Sequence, residues 1–235
     1  MNLLIDIGNT RIKSCVFSQK QFLDVVYYDD LHQLAEVIKT FSGEILLSTV
    51  RHLPEWFLDF CAEVGVIKIS HLTALPIKFD YKTPETLGVD RLVAAAGAWH
   101  TYRKPCVVVD IGTCITIDFL DNKGVFLGGN ISPGPDLRFS SMNNFTSALP
   151  LEKLNDENDK IGSSTKSALQ IGVKQGIAHE IQGYFAYFQE VYPDSILVLT
   201  GGYSTYFDSI LKGDIFAEPK LVFIGLKSIL EHNNV

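Results

Sequence analysis

The chain of 235 residues predicts an α/β protein built from two duplicated lobes. Two stretches carry the prediction. LLIDIGNTRIKSCVF at 3–17 and CVVVDIGTCITIDFL at 106–120 each run an apolar strand into an Asp-Ile-Gly turn and out along a second strand. After each comes a third β-prone stretch, and then helices alternating with strands. One element order met twice argues for internal duplication. Strands alternating with helices pack as a sheet with helices on its faces, and two such lobes leave a cleft in which a nucleotide would be expected.

The elements follow in order. Residues 2–7 are apolar and β-prone, and across 11–17 Ile12, Ser14 and Val16 alternate with Lys13, Cys15 and Phe17. FLDVVYY at 22–28 is a third strand. DDLHQLAEVIKTFSG sets Leu31, Leu34, Ala35, Ile38 and Phe41 at helical spacing, with Asp before the start and Gly43 after the end. EILLSTV is a strand, and Pro54 opens a helix carrying Phe57, Phe60, Cys61 and Val64 that Gly65 closes. VIKIS is a further strand, which completes the order βββαβαβ. GVDRLVAAAGAWHTY reads as a helix with Val89, Leu92, Val93 and Ala96 inward. From Cys106 three strands follow in VVVDIG, CITIDFLD and VFLGGNIS, and LEKLNDENDKIG at 151–162 is a polar loop. Ser163, Ser164 or Thr165 can cap a long helix whose Leu169, Val173, Ile177, Ile181, Tyr184 and Phe188 share a face, with Pro193 ending it. SILVLTGG is a strand, YSTYFDSILKG a short helix and LVFIGLKSILEHN the last helix. The expected division is a first lobe over 1–75, a connecting segment over 76–105 and a second lobe over 106–235.

Composition narrows the function. A hydrophobic fraction of 46% with 20% charged residues suits a globular chain with a real core. A net charge of −7 without a Lys/Arg cluster argues against a nucleic-acid partner. No run of about 18 apolar residues is present for a membrane helix. The opening residues reach Asp6 too early for a signal peptide. Cys15, Cys61, Cys106 and Cys114 are too scattered for a CxxC pair, and the six histidines show no zinc spacing. A cytoplasmic protein with reduced cysteines is the expectation.

The repeated turn has a physical use. Gly after Asp-Ile lets the chain reverse tightly, so that backbone N–H groups and the next hydroxyl line a concavity suited to an anion. A carboxylate repels phosphate, and a hydrated Mg²⁺ is the ordinary bridge between them. Two such turns make a clamp for a polyphosphate. A single Asp-x-Gly between strands is more often a plain hairpin; it is the duplication that favours function.

DIGNTRIK at 6–13, DIGTCITID at 110–118 and LTGG at 199–202 resemble the phosphate 1, phosphate 2 and adenosine motifs of the acetate kinase/sugar kinase/Hsp70/actin superfamily, whose lobes are ribonuclease H-like. Within it, YKTPETLGVDR at 81–91, GGNISPG at 128–134 and GSSTKSALQIG at 162–172 resemble the type III pantothenate kinases. The resemblance implies ATP-dependent phosphorylation of pantothenate. It places ATP on Asp6, Ile7, Gly8, Asn9, Thr10, Arg11, Ile12 and Lys13, with Thr113 from the second lobe. Asp6 would reach Mg²⁺ through water, and Asp110 would hold a monovalent cation, K⁺ or NH₄⁺. Tyr81, Gly88, Val89, Asp90, Arg91 and Thr165 would surround pantothenate, with Asp90 the proton acceptor, in a homodimer whose acceptor pocket lies close to the subunit interface.

Each role has a plainer reading. Asp90 sits in a first helical turn, where the dipole favours the charged form and makes it a weak base; it can equally serve only the helix start. Arg91 can bind the acceptor or form a surface ion pair. A strand Lys such as Lys13 commonly faces solvent, Thr165 can be an N-cap, and Tyr81 can be core. Gly128 and Gly129 leave room for a turn or for a ligand. Asp110 ends an apolar strand, where burial without a cation or donor is costly. Asp118 has no assigned role. The rivals are a kinase for another small hydroxyl acceptor and a non-catalytic nucleotide-binding regulator. Against the first, GVDR with Tyr81 is not the pattern of the other small-acceptor kinases; against the second, Asp6, Asp90 and Asp110 are all present.

Overall fold

The computed structural model describes residues 1–79, 81–156 and 159–234. The chain forms two compact units, Met1–Arg103 with Lys220–Val235, and Lys104–Pro219.

In the first unit β1 (Asn2–Ile7), β2 (Ile12–Ser18) and β3 (Gln21–Tyr28) form an antiparallel meander. Helix α1 (Leu31–Thr40), capped by the Asp30 side chain, leads to β4 (Glu44–Thr49), which lies parallel to β1. Helix α2 (Glu55–Val64) ends on Gly65 in the left-handed region, and β5 (Ile67–Lys68) adds to β4. The sheet order is β3-β2-β1-β4-β5. Leu3, Ile5, Ile7, Leu34, Ile38, Ile45, Leu47 and Phe57 form its core, because β1 and β4 turn alternate apolar residues onto the face that α1 and α2 cover. Beyond a two-residue strand β6 (Lys78–Phe79) and a 3₁₀ turn at Pro84–Thr86 comes α3 (Val89–Tyr102), buried on all sides from Arg91 to Ala98.

The second unit repeats the plan. β7 (Cys106–Ile111), β8 (Cys114–Leu120) and β9 (Val125–Pro133) form a meander, followed by α4 (Pro135–Phe145), α5 (Thr165–Val191), β10 (Ile196–Thr200), α6 (Ser204–Asp208) and β11 (Ile215–Ala217). Strands run β9-β8-β7-β10-β11, strand for strand the order of the first unit. Val107, Val109, Ile111, Ile115 and Ile117 meet Leu169, Val173, Ile177, Ile181 and Phe188 of α5 in its core. These are two ribonuclease H-like lobes. Among the described residues no helix is long and apolar enough to cross a membrane.

The last helix, α7 (Leu221–Asn233), departs from the expected division. It and α3 belong to the first unit, so neither a separate connecting segment over 76–105 nor a second lobe running to 235 describes the chain. Glycines explain the placement. A Cβ on Gly97 of α3 would overlap the Leu221 carbonyl oxygen, and one on Gly225 of α7 would overlap that of Val93. The two helices cross with backbones touching, a contact between residues more than a hundred positions apart.

Strand β6, helix α4 and strand β11 lacked a sequence signal. PDLRFSSMNNF buries only Pro135 and Phe139, so α4 shows no apolar stripe, and β11 is three residues long. VIKIS contributes only Ile67 and Lys68 as strand, and α1 ends on Phe41 before Gly43 is reached.

Candidate active site

In the first lobe β1 ends at Asp6-Ile7, and the turn closes with the Gly8 N–H donating to the Arg11 carbonyl at 3.0 Å. Antiparallel register sets Lys13 directly opposite Asp6. That pairing answers the question of which way Lys13 points, since its Nζ lies 3.1 Å from Asp6 Oδ2. Asp6 is 7% exposed, and the ammonium offsets the cost of burying its carboxylate. Asn9, Thr10 and Arg11 stand exposed at the rim, with Ile7 and Ile12 buried as the strand ends beneath them.

Asp90 is the second residue of α3, after Gly88 as N-cap. Its Oδ1 accepts from the Arg91 N–H at 2.9 Å, and a Cβ on Gly88 would lie 2.6 Å from that oxygen, so this carboxylate position requires glycine at 88. Burial pushes the Asp90 carboxyl above the ordinary aspartate range. The Arg91 N–H pulls it back, the charge of Asp6 pushes it further up, and the Arg91 guanidinium opposes that. The weak base expected from the helix dipole is therefore a stronger one, because desolvation outweighs the helix start. Arg91 is 5% exposed, which excludes a surface ion pair, and Tyr81 and Val89 are half-buried.

The second lobe gathers three motifs at the end of β7. Gly112 N–H donates to the Cys114 carbonyl at 3.0 Å, leaving Thr113 exposed at the tip of the turn. The Gly134 N–H donates to the Thr113 carbonyl at 2.9 Å, and a Cβ there would overlap the Gly112 carbonyl oxygen. Gly201, at φ +89°, comes so near that a Cβ would overlap Asp110 Oδ1 and lie 2.7 Å from the Ile111 nitrogen. Tyr203 N–H closes the junction on the Ile111 carbonyl at 3.1 Å. The DIG, SPG and TGG segments thus form one glycine-lined junction around Asp110. Within GGNISPG it is Gly134 that makes this close approach to the turn. Gly128, at φ +110°, lies where the β8–β9 register shifts.

Ser164 caps α5 in a reciprocal box with Ser167. Thr165 is thereby released from capping, and it is exposed at the rim of a cavity of about 950 Å³ between α4 and α5, with Leu137, Phe145 and Leu169 among the lining. Among the described residues no three His, Cys, Asp or Glu side chains form a metal cage. Without such a cage, a Mg²⁺ at Asp6 would keep its waters and be held largely by phosphate.

The family model of type III pantothenate kinase matches residues 2–187. The type III pantothenate kinase of Phocaeicola vulgatus is 40% identical over 245 residues, covering 100% of this chain and 99% of its own length. That of Cytophaga hutchinsonii is 38% identical over 239 residues, covering 99% and 100%. A Campylobacter jejuni protein assigned to the Baf family of transcriptional activators shares the fold, with a TM-score of 0.65 at 22% identity, over 99% of this chain and 98% of its own. The matched span includes the candidate residues from Asp6 and Lys13 at the first turn to Asp90 and Arg91 on α3, and the chain belongs to the type III pantothenate kinase family.

Proposed function

We propose a division of labour among these residues for the reaction this chain carries out, the ATP-dependent phosphorylation of pantothenate to 4′-phosphopantothenate that opens coenzyme A biosynthesis. The segment Asp6–Lys13 binds the ATP phosphates, its turn N–H groups and Lys13 facing oxygens, and Thr113 adds a contact from the second lobe. Bound with ATP and reached from Asp6 through water, Mg²⁺ would neutralise charge on the phosphate oxygens. A monovalent cation, K⁺ or NH₄⁺, is assigned to Asp110. Tyr81, Gly88, Val89, Arg91 and Thr165 surround pantothenate, with Arg91 offering charged donors to its carboxylate or amide.

Asp90 takes the proton of the pantothenate hydroxyl as it attacks the γ-phosphorus. The observation that carries this assignment is its environment: a carboxylate desolvated beside Asp6 and tied at one oxygen to the Arg91 N–H. Phosphoryl transfer is largely loose, so proton uptake is late and a carboxylate suffices as acceptor. A homodimer and a cytoplasmic location complete the reading, on the family resemblance.

The test is ADP release from MgATP with and without pantothenate, run in Na⁺, K⁺ and NH₄⁺. Pantothenate-dependent release that requires K⁺ or NH₄⁺ is the expected result. Release only with a different hydroxyl acceptor, or none from folded protein, would overturn it.

A further inference from the structure

The C-terminal helix reaches the first phosphate turn through one side chain. Phe223 of α7 is fully buried, and the centroid of its ring lies 5.5 Å from Lys13 Nζ. The ammonium is therefore held between the Asp6 carboxylate, at 3.1 Å, and an aromatic ring. The ring itself is rigidly placed. Two residues further on, Gly225 is pressed against the Val93 backbone, and at the start of the helix Lys220 Nζ donates to the Leu23 carbonyl at 3.0 Å.

The two partners of Lys13 differ in what they do when nucleotide arrives. Asp6 is an ionic partner that must share its charge with the cation accompanying ATP. The Phe223 ring attracts the ammonium through its quadrupole and brings no oxygen or nitrogen acceptor to compete with phosphate. A lysine has a long flexible stem and loses much rotamer freedom when fixed. A partner that keeps the ammonium near the turn while leaving its donors available reduces that loss at the moment of binding.

We infer that Phe223 is a positioning residue for ATP that acts through Lys13. The inference rests on the reading of Lys13 as a phosphate ligand. It also gives the last helix a function: the residue that holds the first phosphate motif ready stands some two hundred positions after it in the chain.

The experiment is a double-mutant cycle on MgATP affinity, measured by calorimetry without pantothenate on Lys13→Met, Phe223→Leu and the double variant. Phe223→Met stands in where Phe223→Leu does not fold. Phe223→Leu alone is expected to weaken MgATP by about three- to tenfold, with the pantothenate KM unchanged. In the Lys13→Met background it is expected to weaken MgATP no further. An equal loss in both backgrounds would make Phe223 merely structural and overturn the inference, as would unchanged affinity in Phe223→Leu. Unchanged affinity in Lys13→Met is a separate result, which would remove Lys13 from the phosphate site and the inference with it.

Discussion

Replacing Asp90 with asparagine keeps the side chain's shape and removes its charge. Asn can accept the Arg91 N–H as the native Oδ1 does at 2.9 Å, so the start of α3 should keep its geometry. What is lost is the proton acceptor. Positioned acid–base groups contribute about 10²–10⁴ in rate, equivalent to about 3–5 kcal/mol of barrier at 1.36 kcal/mol per tenfold. The kcat of Asp90→Asn should fall by that factor with MgATP affinity retained. Stability should move the other way. The folded-state pKa of Asp90 is raised above the ordinary 3.8, so its contribution to stability is fully present below that value and is lost as pH rises through the folded pKa. Above the ordinary aspartate range, folding therefore disfavours the ionised form of Asp90. Asp90→Asn should melt higher than wild type at pH 7, with the gain shrinking as pH approaches 4. Initial rates, calorimetric MgATP binding and melting curves at the two pH values check all three. A folded variant with retained kcat would refute the proton-acceptor role, and a lower Tm at pH 7 would refute the electrostatic argument behind it. The wild-type kcat/KM should show an acid limb with an apparent pKa above the usual aspartate range, readable from a pH–rate profile.

Four other substitutions have expected outcomes. Asp110→Asn should flatten the titration of activity with K⁺ or NH₄⁺, and an unchanged titration would release Asp110 from the cation. Gly225→Ala puts a methyl into the Val93 backbone and should destabilise by about 1–3 kcal/mol through overpacking, seen as a Tm lowered by about 2–12 °C. Ser164→Ala removes a reciprocal cap and should cost about 1 kcal/mol. Thr165→Ala should leave Tm unchanged and raise the pantothenate KM, so this pair of variants separates capping from ligand contact at adjacent residues.

Where a residue's role depended on its neighbours in sequence, it was readable before the fold was known. The alternation in 12–17, the Asp before α1, Gly65 after α2 and the apolar face of α5 all reflect local backbone periodicity and capping. The repeated DIG turn showed the duplication for the same reason, since a tight reversal restricts which residues can occupy it. Helix α4 stayed hidden because two buried side chains in eleven make no stripe. At the site, the identities of Asp6, Asp90 and Asp110 were legible as motif residues, but their surroundings were not. Lys13 was ambiguous until the register placed it against Asp6.

Residue order alone specifies two lobes of one element order, the turns that end their first strands, and the family to which those turns and the GVDR block belong. It takes the folded chain to place α7 with the first lobe, to close Gly134 and Gly201 on the DIG turn at Asp110, and to make Asp90 a stronger base than its helix position implies. All three share one cause. Steric fit between distant glycines and backbone, and the desolvation of a carboxylate, depend on atoms brought together across long stretches of chain, and no local pattern of residue types encodes them.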